Sequence, residues 1–183
     1  MKAVFLDRDG VINEERDDYI KSWDEFIWIK GAKEAIQALN LANLLVIVVT
    51  NQSAIGRGIV PSSVVEDIHG KIQKELKEMG AWIDAFYYCP ARPEEGSPFR
   101  KPQPGMFLQA QKEYQVELTN SYLIGDSVSD IEAGNKAGCK TILVLTGKGK
   151  DQLANVTSKA VKPHLVAQDL SEAVKVILNS QET

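Results

Sequence analysis

Asp7 and Asp9 bracket one arginine in the run Asp7-Arg8-Asp9-Gly10, directly after the apolar residues Ala3-Val4-Phe5-Leu6. Thr50 and Asn51 follow a second apolar run, Asp126 and Asp130 follow a third, and Lys101 comes from a proline-rich stretch between them. If the apolar runs are strands of one parallel sheet, these polar residues gather at a single edge. Clustered carboxylates repel one another unless a cation neutralises them, and an oxygen-only donor set suits Mg²⁺ better than zinc. Such an ion draws in phosphate, and a hydroxyl from Thr50 with a charge from Lys101 would balance the equatorial phosphoryl oxygens. Asp7 and Asp9 can then divide the labour. A metal-bound Asp7 stays ionised as nucleophile, while Asp9 holds a proton for the leaving oxygen. Phosphomonoester hydrolysis demands rate factors up to about 10²¹, enough to occupy a nucleophile, an acid and charge clamps together.

Taken singly, each group has a plainer reading. Asp-Arg-Asp-Gly could be a turn after a strand, Thr50-Asn51-Gln52-Ser53 a loop or helix entry, and Gly125-Asp126-Ser127 with Asp130 a helix cap. All three at the ends of alternate apolar strands, with Lys101 between the last two, point to a joint role.

The elements that must hold these residues are readable from periodicity. Strands are expected at 3–6, 44–49, 83–88, 122–125 and 141–145, with a short edge strand at Leu165-Val166. Helical spacing marks 31–42, the stretch from Pro61 to Gly80, 104–114, 129–137 and 170–178. Residues 90–103 carry four prolines and read as a loop. Strands alternating with helices predict a doubly wound α/β fold, a mostly parallel sheet flanked by helices, with no insertion large enough for a cap. At 183 residues one domain spanning 1–183 is expected.

Composition narrows the partners. There are 21 Lys plus Arg against 25 Asp plus Glu, a net charge of −4, which argues against a nucleic-acid partner. The apolar run before Asp7 is too short for a signal peptide or a membrane span, so a cytoplasmic protein is expected. Two separated cysteines, Cys89 and Cys139, suggest no disulfide. His69, His164 and the three tryptophans have no metal-ligand spacing and read as core or cover, with Trp23 and Trp28 in a segment able to pack beside the pocket.

Asp7-Arg8-Asp9-Gly10, Thr50, Lys101 and Gly125-Asp126 with Asp130 resemble the four motifs of the haloacid dehalogenase (HAD) superfamily. The resemblance implies a HAD-like Rossmannoid fold, Asp7 as nucleophile, Asp9 as general acid and base, and Thr50 and Lys101 as phosphoryl stabilisers. It further implies one Mg²⁺ held by Asp7, the Asp9 backbone carbonyl and Asp126, with Asp130 as supporting carboxylate. The stretches 50–58, 87–90, 100–106 and 145–148 are similar to the D-glycero-D-manno-heptose 1,7-bisphosphate phosphatases, which remove the C7 phosphate, more than to histidinol phosphate phosphatases. By that likeness Asn51, Gln52, Ser53, Arg57 and Arg100 contact the substrate, a small phosphorylated sugar. Relatives commonly hold a structural zinc in the loop before the lysine. Here Cys89 remains, but Ala91 and Ser97-Pro98-Phe99 stand where its partners would be. A lone thiol cannot make that site, so no zinc is expected and Cys89 reads as a small buried residue.

Two rival classes share parts of this pattern. A phospho-receiver domain would have no need of a second carboxylate two positions after the first, and a polynucleotide 3'-phosphatase should show a basic groove with stacking aromatics. A monomeric enzyme is the expectation.

Overall fold

In the computed structural model, which describes residues 1–158 and 161–180, the strands form one sheet in the order β3-β2-β1-β4-β5-β6, every pairing parallel. They are β1 (Ala3–Leu6), β2 (Leu45–Asn51), β3 (Ala85–Cys89), β4 (Tyr122–Gly125), β5 (Lys140–Val144) and β6 (Leu165–Ala167). The helices between them are α1 (Ala32–Leu41), α2 (Ser53–Gly56), α3 (Ser62–Glu78), α4 (Gly105–Tyr114), α5 (Val128–Ala137), α6 (Gly149–Ser158) and α7 (Leu170–Asn179). The expected span 1–183 includes residues 159–160 and 181–183, which lie outside the described residues.

The strands are apolar throughout because both sheet faces are covered. Along β1 the side chains alternate: Val4 and Leu6 join one core with Ile36 and Leu39 of α1, Ile68 and Ile72 of α3, and Ile177 of α7. Ala3 and Phe5 join the other with Met106 and Phe107 of α4 and Ala133 of α5. Each Val, Leu, Ile, Phe or Met among them contributes about 1.5–3 kcal/mol by leaving water. The chain winds outward from β1 to β3, then returns to place β4 on the far side of β1. This reversal opens a crevice beyond the carboxyl ends of β1 and β4, where ligands of such sheets bind.

Most expected elements lie within a residue or two of their places. Three differences matter. β2 continues through Thr50 and Asn51, which pair with Tyr88 and Cys89, so these two end the strand rather than follow it. The β-branched Thr50 suits the pleat, and the partner strand supplies the pairing. Second, α6 had no sequence expectation; Leu153 and Val156 alone give it an apolar stripe, and Val156 packs on Ile131 and Leu143. Third, residues 11–29, for which the sequence suggested no element, pack into the core. Val11, Ile12, Ile20 and Phe26 are buried, and Glu14 N donates to Ile27 O (2.8 Å) and Ile29 N to Ile12 O (2.9 Å). Trp23 stacks on Phe26, which meets Trp28 edge-on. The tryptophans thus brace this segment, and neither lines the crevice. No helix among the described residues is long and apolar enough to cross a membrane.

Candidate active site

A cavity of about 290 Å³ sits in the crevice, and every residue that the sequence singled out lines it: Asp7, Asp9, Thr50, Asn51, Gln52, Ser53, Arg57, Arg100, Lys101, Asp126 and Asp130. Asp7 follows β1 directly, and its N–H donates to Ile124 O of β4 (3.0 Å), which fixes the first carboxylate between the two strands. Asp126 follows β4. Gly10, at φ +84°, and Gly147 both approach it so closely that a Cβ on either would collide with Asp126 Oδ2. Lys148 N donates to that same oxygen (2.8 Å).

Asp130 enters from the first turn of α5 and does two jobs. It forms a capping box with Ser127, whose Oγ accepts from Asp130 N (3.3 Å), while Asp130 Oδ2 accepts from Ser127 N (3.1 Å) and Asp126 N (3.1 Å). The cap reading is therefore borne out, and the same residue also reaches the cavity. The other oxygen, Oδ1, lies 2.6 Å from Lys101 Nζ in a buried ion pair. Lys101 Nζ also lies 3.0 Å from Asp7 Oδ1 and donates to Val49 O (2.8 Å). The proline-rich loop is held for this purpose: Asn51 accepts from Lys101 N (3.0 Å) and donates to Lys101 O (3.0 Å).

The electrostatics follow from this crowding. Burial raises the Asp7 carboxyl, repulsion from Asp130 adds to it, Lys101 opposes it, and the balance stands at about 7. Asp126 is pushed up to about 9 by burial and by the charges of Asp130 and Asp7. Burial weakens the Lys101 ammonium, but Asp130 and Asp7 more than restore it. Asp9 differs: burial would raise it, yet Arg8, Asn13 and Gln52 hold it below the usual range. Gln52 Nε2 donates to Asp9 Oδ2 (2.8 Å) and to Thr50 Oγ1 (3.1 Å), leaving the threonine hydroxyl proton for another acceptor.

Oxygens of Asp7, Asp126 and Asp130 lie within 4.8 Å of one another. An oxygen-only set of three crowded carboxylates, two of them raised by burial and mutual repulsion, fits a hard divalent cation such as Mg²⁺.

The structure adds residues that the sequence did not reveal. Glu15, Arg16, Tyr19 and Ile20 reach the cavity from the braced 11–29 segment, Ser127 and Ser129 from the start of α5, and Lys148 from the β5–α6 turn. Lys148 Nζ pairs with Glu15 Oε1 (2.9 Å). For those in loops the signal was hidden because loop residues carry no period. Arg8 is fully buried, with its guanidinium on Asp9 (3.0 Å) and His69 (3.3 Å). Burial and the Arg8 charge push the His69 imidazole down to about 3, so it is neutral. His164 Nδ1 accepts from Thr141 N (3.0 Å), a structural contact. Cys89 is buried with Sγ 3.6 Å from Ser97 Oγ.

Comparison with known proteins agrees with this geometry. A HAD-hydrolase-like family model matches residues 98–173. A D-glycero-beta-D-manno-heptose-1,7-bisphosphate 7-phosphatase of Bordetella bronchiseptica is 41% identical over 154 residues, 84% of this chain and 86% of that one. A protein of the same name from Pseudomonas aeruginosa is 39% identical over 96% of this chain and 97% of its own. The crystal structure of the D,D-heptose 1,7-bisphosphate phosphatase from B. bronchiseptica, complexed with magnesium and phosphate, superposes with a TM-score of 0.92 at 37% identity, covering 98% of this chain and 99% of that one. The chain belongs to the D-glycero-D-manno-heptose-1,7-bisphosphate 7-phosphatase family of HAD-like hydrolases.

Proposed function

We propose that this chain is a Mg²⁺-dependent phosphomonoester hydrolase that removes the C7 phosphate of D-glycero-D-manno-heptose 1,7-bisphosphate through a phosphoryl group carried on Asp7. The observation that carries this reading is the convergence of Asp7, Asp9, Thr50, Lys101, Asp126 and Asp130 on one cavity, in a chain whose relatives bear that activity in their names.

Asp7, the Asp9 backbone carbonyl and Asp126 would hold one Mg²⁺, which would keep Asp7 ionised and offset phosphoryl charge. An Asp7 oxygen attacks phosphorus, the bond from phosphorus to the C7 oxygen breaks, and that oxygen takes a proton from Asp9. Asp9 rests as a carboxylate, and the approach of a dianionic phosphate raises its affinity for the proton it must deliver. In the second half Asp9 takes a proton from water, whose oxygen displaces Asp7 from phosphorus and releases phosphate. Thr50 and Lys101 steady the equatorial oxygens in both halves. Asn51, Gln52 and Ser53 fix the backbone that surrounds the reacting phosphate, and Arg57 and Arg100 meet the second one. The protein acts as a cytoplasmic monomer without zinc.

The test is phosphate release from heptose 1,7-bisphosphate, histidinol phosphate and a 3'-phosphorylated oligonucleotide, with Mg²⁺ and with EDTA. Mg²⁺-dependent release strongest with the heptose is expected. A preference for histidinol phosphate would overturn the substrate, and no turnover of any of them would overturn the enzyme.

A further inference from the structure

Arg8 is fully enclosed, with 0% exposure, and it lies one residue from each aspartate of the motif. Its Nε and Nη2 donate to Asp9 Oδ1 (3.3 and 3.0 Å), and Nη2 also reaches Oδ2 (3.2 Å). The remaining terminal nitrogen, Nη1, meets His69 Nε2 at 3.3 Å. A guanidinium has donors only, so Nε2 must be the acceptor and the imidazole proton must sit on Nδ1. The imidazole is itself fixed. It stacks on Phe86 at 4.5 Å and 17°, and meets Tyr88 edge-on at 5.9 Å. Phe86 and Tyr88 belong to β3, while His69 belongs to α3. A rigid series of contacts thus runs from the sheet edge through His69 and Arg8 to the Asp9 carboxylate, which Asn13 (2.9 Å) and Gln52 (2.8 Å) grip from other sides.

We propose that His69 is a positioning residue for proton delivery: by accepting from Arg8 Nη1 it locks the guanidinium fork, and the fork aims the Asp9 carboxyl at the leaving oxygen. This rests on Asp9 being the general acid. Without an acceptor at Nε2, a buried nitrogen of Arg8 loses its partner, and the guanidinium turns to find another. Asp9 turns with it. Proton transfer depends steeply on that aim.

The test uses kcat/KM, which reports events through the first irreversible step and so reads the acid role of Asp9 apart from its later role as base. A sugar alkoxide needs a proton to leave, whereas p-nitrophenolate leaves without one. For His69→Leu the ratio of kcat/KM on heptose 1,7-bisphosphate to that on p-nitrophenyl phosphate should fall about tenfold. His69→Gln, whose amide oxygen can stand at the place of Nε2, should keep the parent ratio. His69→Asn, polar but too short, should shift it as Leu does and gives the same reading if His69→Leu fails to fold. An unchanged ratio in both His69→Leu and His69→Asn, or a shift in His69→Gln equal to theirs, overturns the inference. Asp9→Asn is measured alongside. If it leaves the ratio unchanged, the acid assignment itself falls; if it shifts the ratio and the His69 variants do not, only the positioning role falls.

Discussion

Lys101 Nζ lies 2.6 Å from Asp130 Oδ1, and the two side chains are 2% and 0% exposed. Neither charge has water to fall back on. Removing one partner of such a pair strands the other in a poorly solvated place, so Lys101→Met should destabilise the fold by about 3–5 kcal/mol. Urea denaturation should show it, and adding Asp130→Asn should recover part of the loss. Activity should not return in the double variant, because the ammonium that faces Asp7 is still absent. Full stability in Lys101→Met alone would show that Asp130 finds another partner.

Asp7→Asn should abolish steady-state turnover, since the amide keeps the shape and loses the nucleophile. The fold should survive. Indeed the metal-free variant should melt at or above the parent temperature, because one of the crowded carboxylates is gone. Turnover near the parent rate would remove the covalent route.

Metal removal should make stability fall with rising pH. Asp7 and Asp126 stand at about 7 and about 9 in the metal-free fold, against about 3.9 for an unfolded aspartate. Both folded values are raised, so between roughly pH 4 and pH 9 the folded chain holds more protons than the unfolded one. Their contribution is complete below the unfolded value and is lost as pH climbs through the folded ones. EDTA-treated protein should therefore melt lower at about pH 9 than at about pH 6, and Mg²⁺, which replaces those protons, should raise the melting temperature most at the higher pH. A Mg²⁺ effect independent of pH would mean that the ion binds elsewhere. Asp126→Asn should flatten both trends.

Why the sequence revealed some of this and not the rest is clear from single residues. Phe5 and Val4 point to opposite covered faces, so β1 is apolar throughout and easily read, and the aspartates that end such runs stand out. Asp130 was legible as a cap, because Ser127 and Asp130 have capping spacing, and it also lines the cavity. Lys148 was not legible as a site residue. Its approach depends on Gly147 and Gly10 meeting beside Asp126, a contact between positions far apart in the chain. His69 read as an ordinary residue of an amphipathic helix; only the packing of α3 on β3 turns its ring toward Arg8. Thr50 was placed beyond its strand because local pattern cannot show that β3 keeps pairing as far as Cys89.

Substrate choice gives the last prediction, through Arg57 and Arg100. Both line the cavity that holds Thr50 and Lys101, yet phosphoryl transfer itself has no use for either. A bisphosphate brings a second dianion, and guanidinium groups hold phosphate through paired, charge-assisted hydrogen bonds. Binding energy from that remote group can orient the reacting one where loops alone cover the site. Arg100→Ala should therefore cut kcat/KM for heptose 1,7-bisphosphate by roughly ten- to a hundredfold, about 1.5–3 kcal/mol, and affect p-nitrophenyl phosphate far less. Arg100 Nη1 also donates to Ala91 O (2.9 Å), so its loss could loosen the loop that carries Lys101. Loosening would slow both substrates alike. Arg57 caps the one-turn helix α2, outside the loop that carries Lys101, and Arg57→Ala separates the two causes. A selective loss in both variants supports a second-phosphate site. Equal losses on both substrates in both variants would mean that the arginines serve the common chemistry and that the second phosphate is held elsewhere.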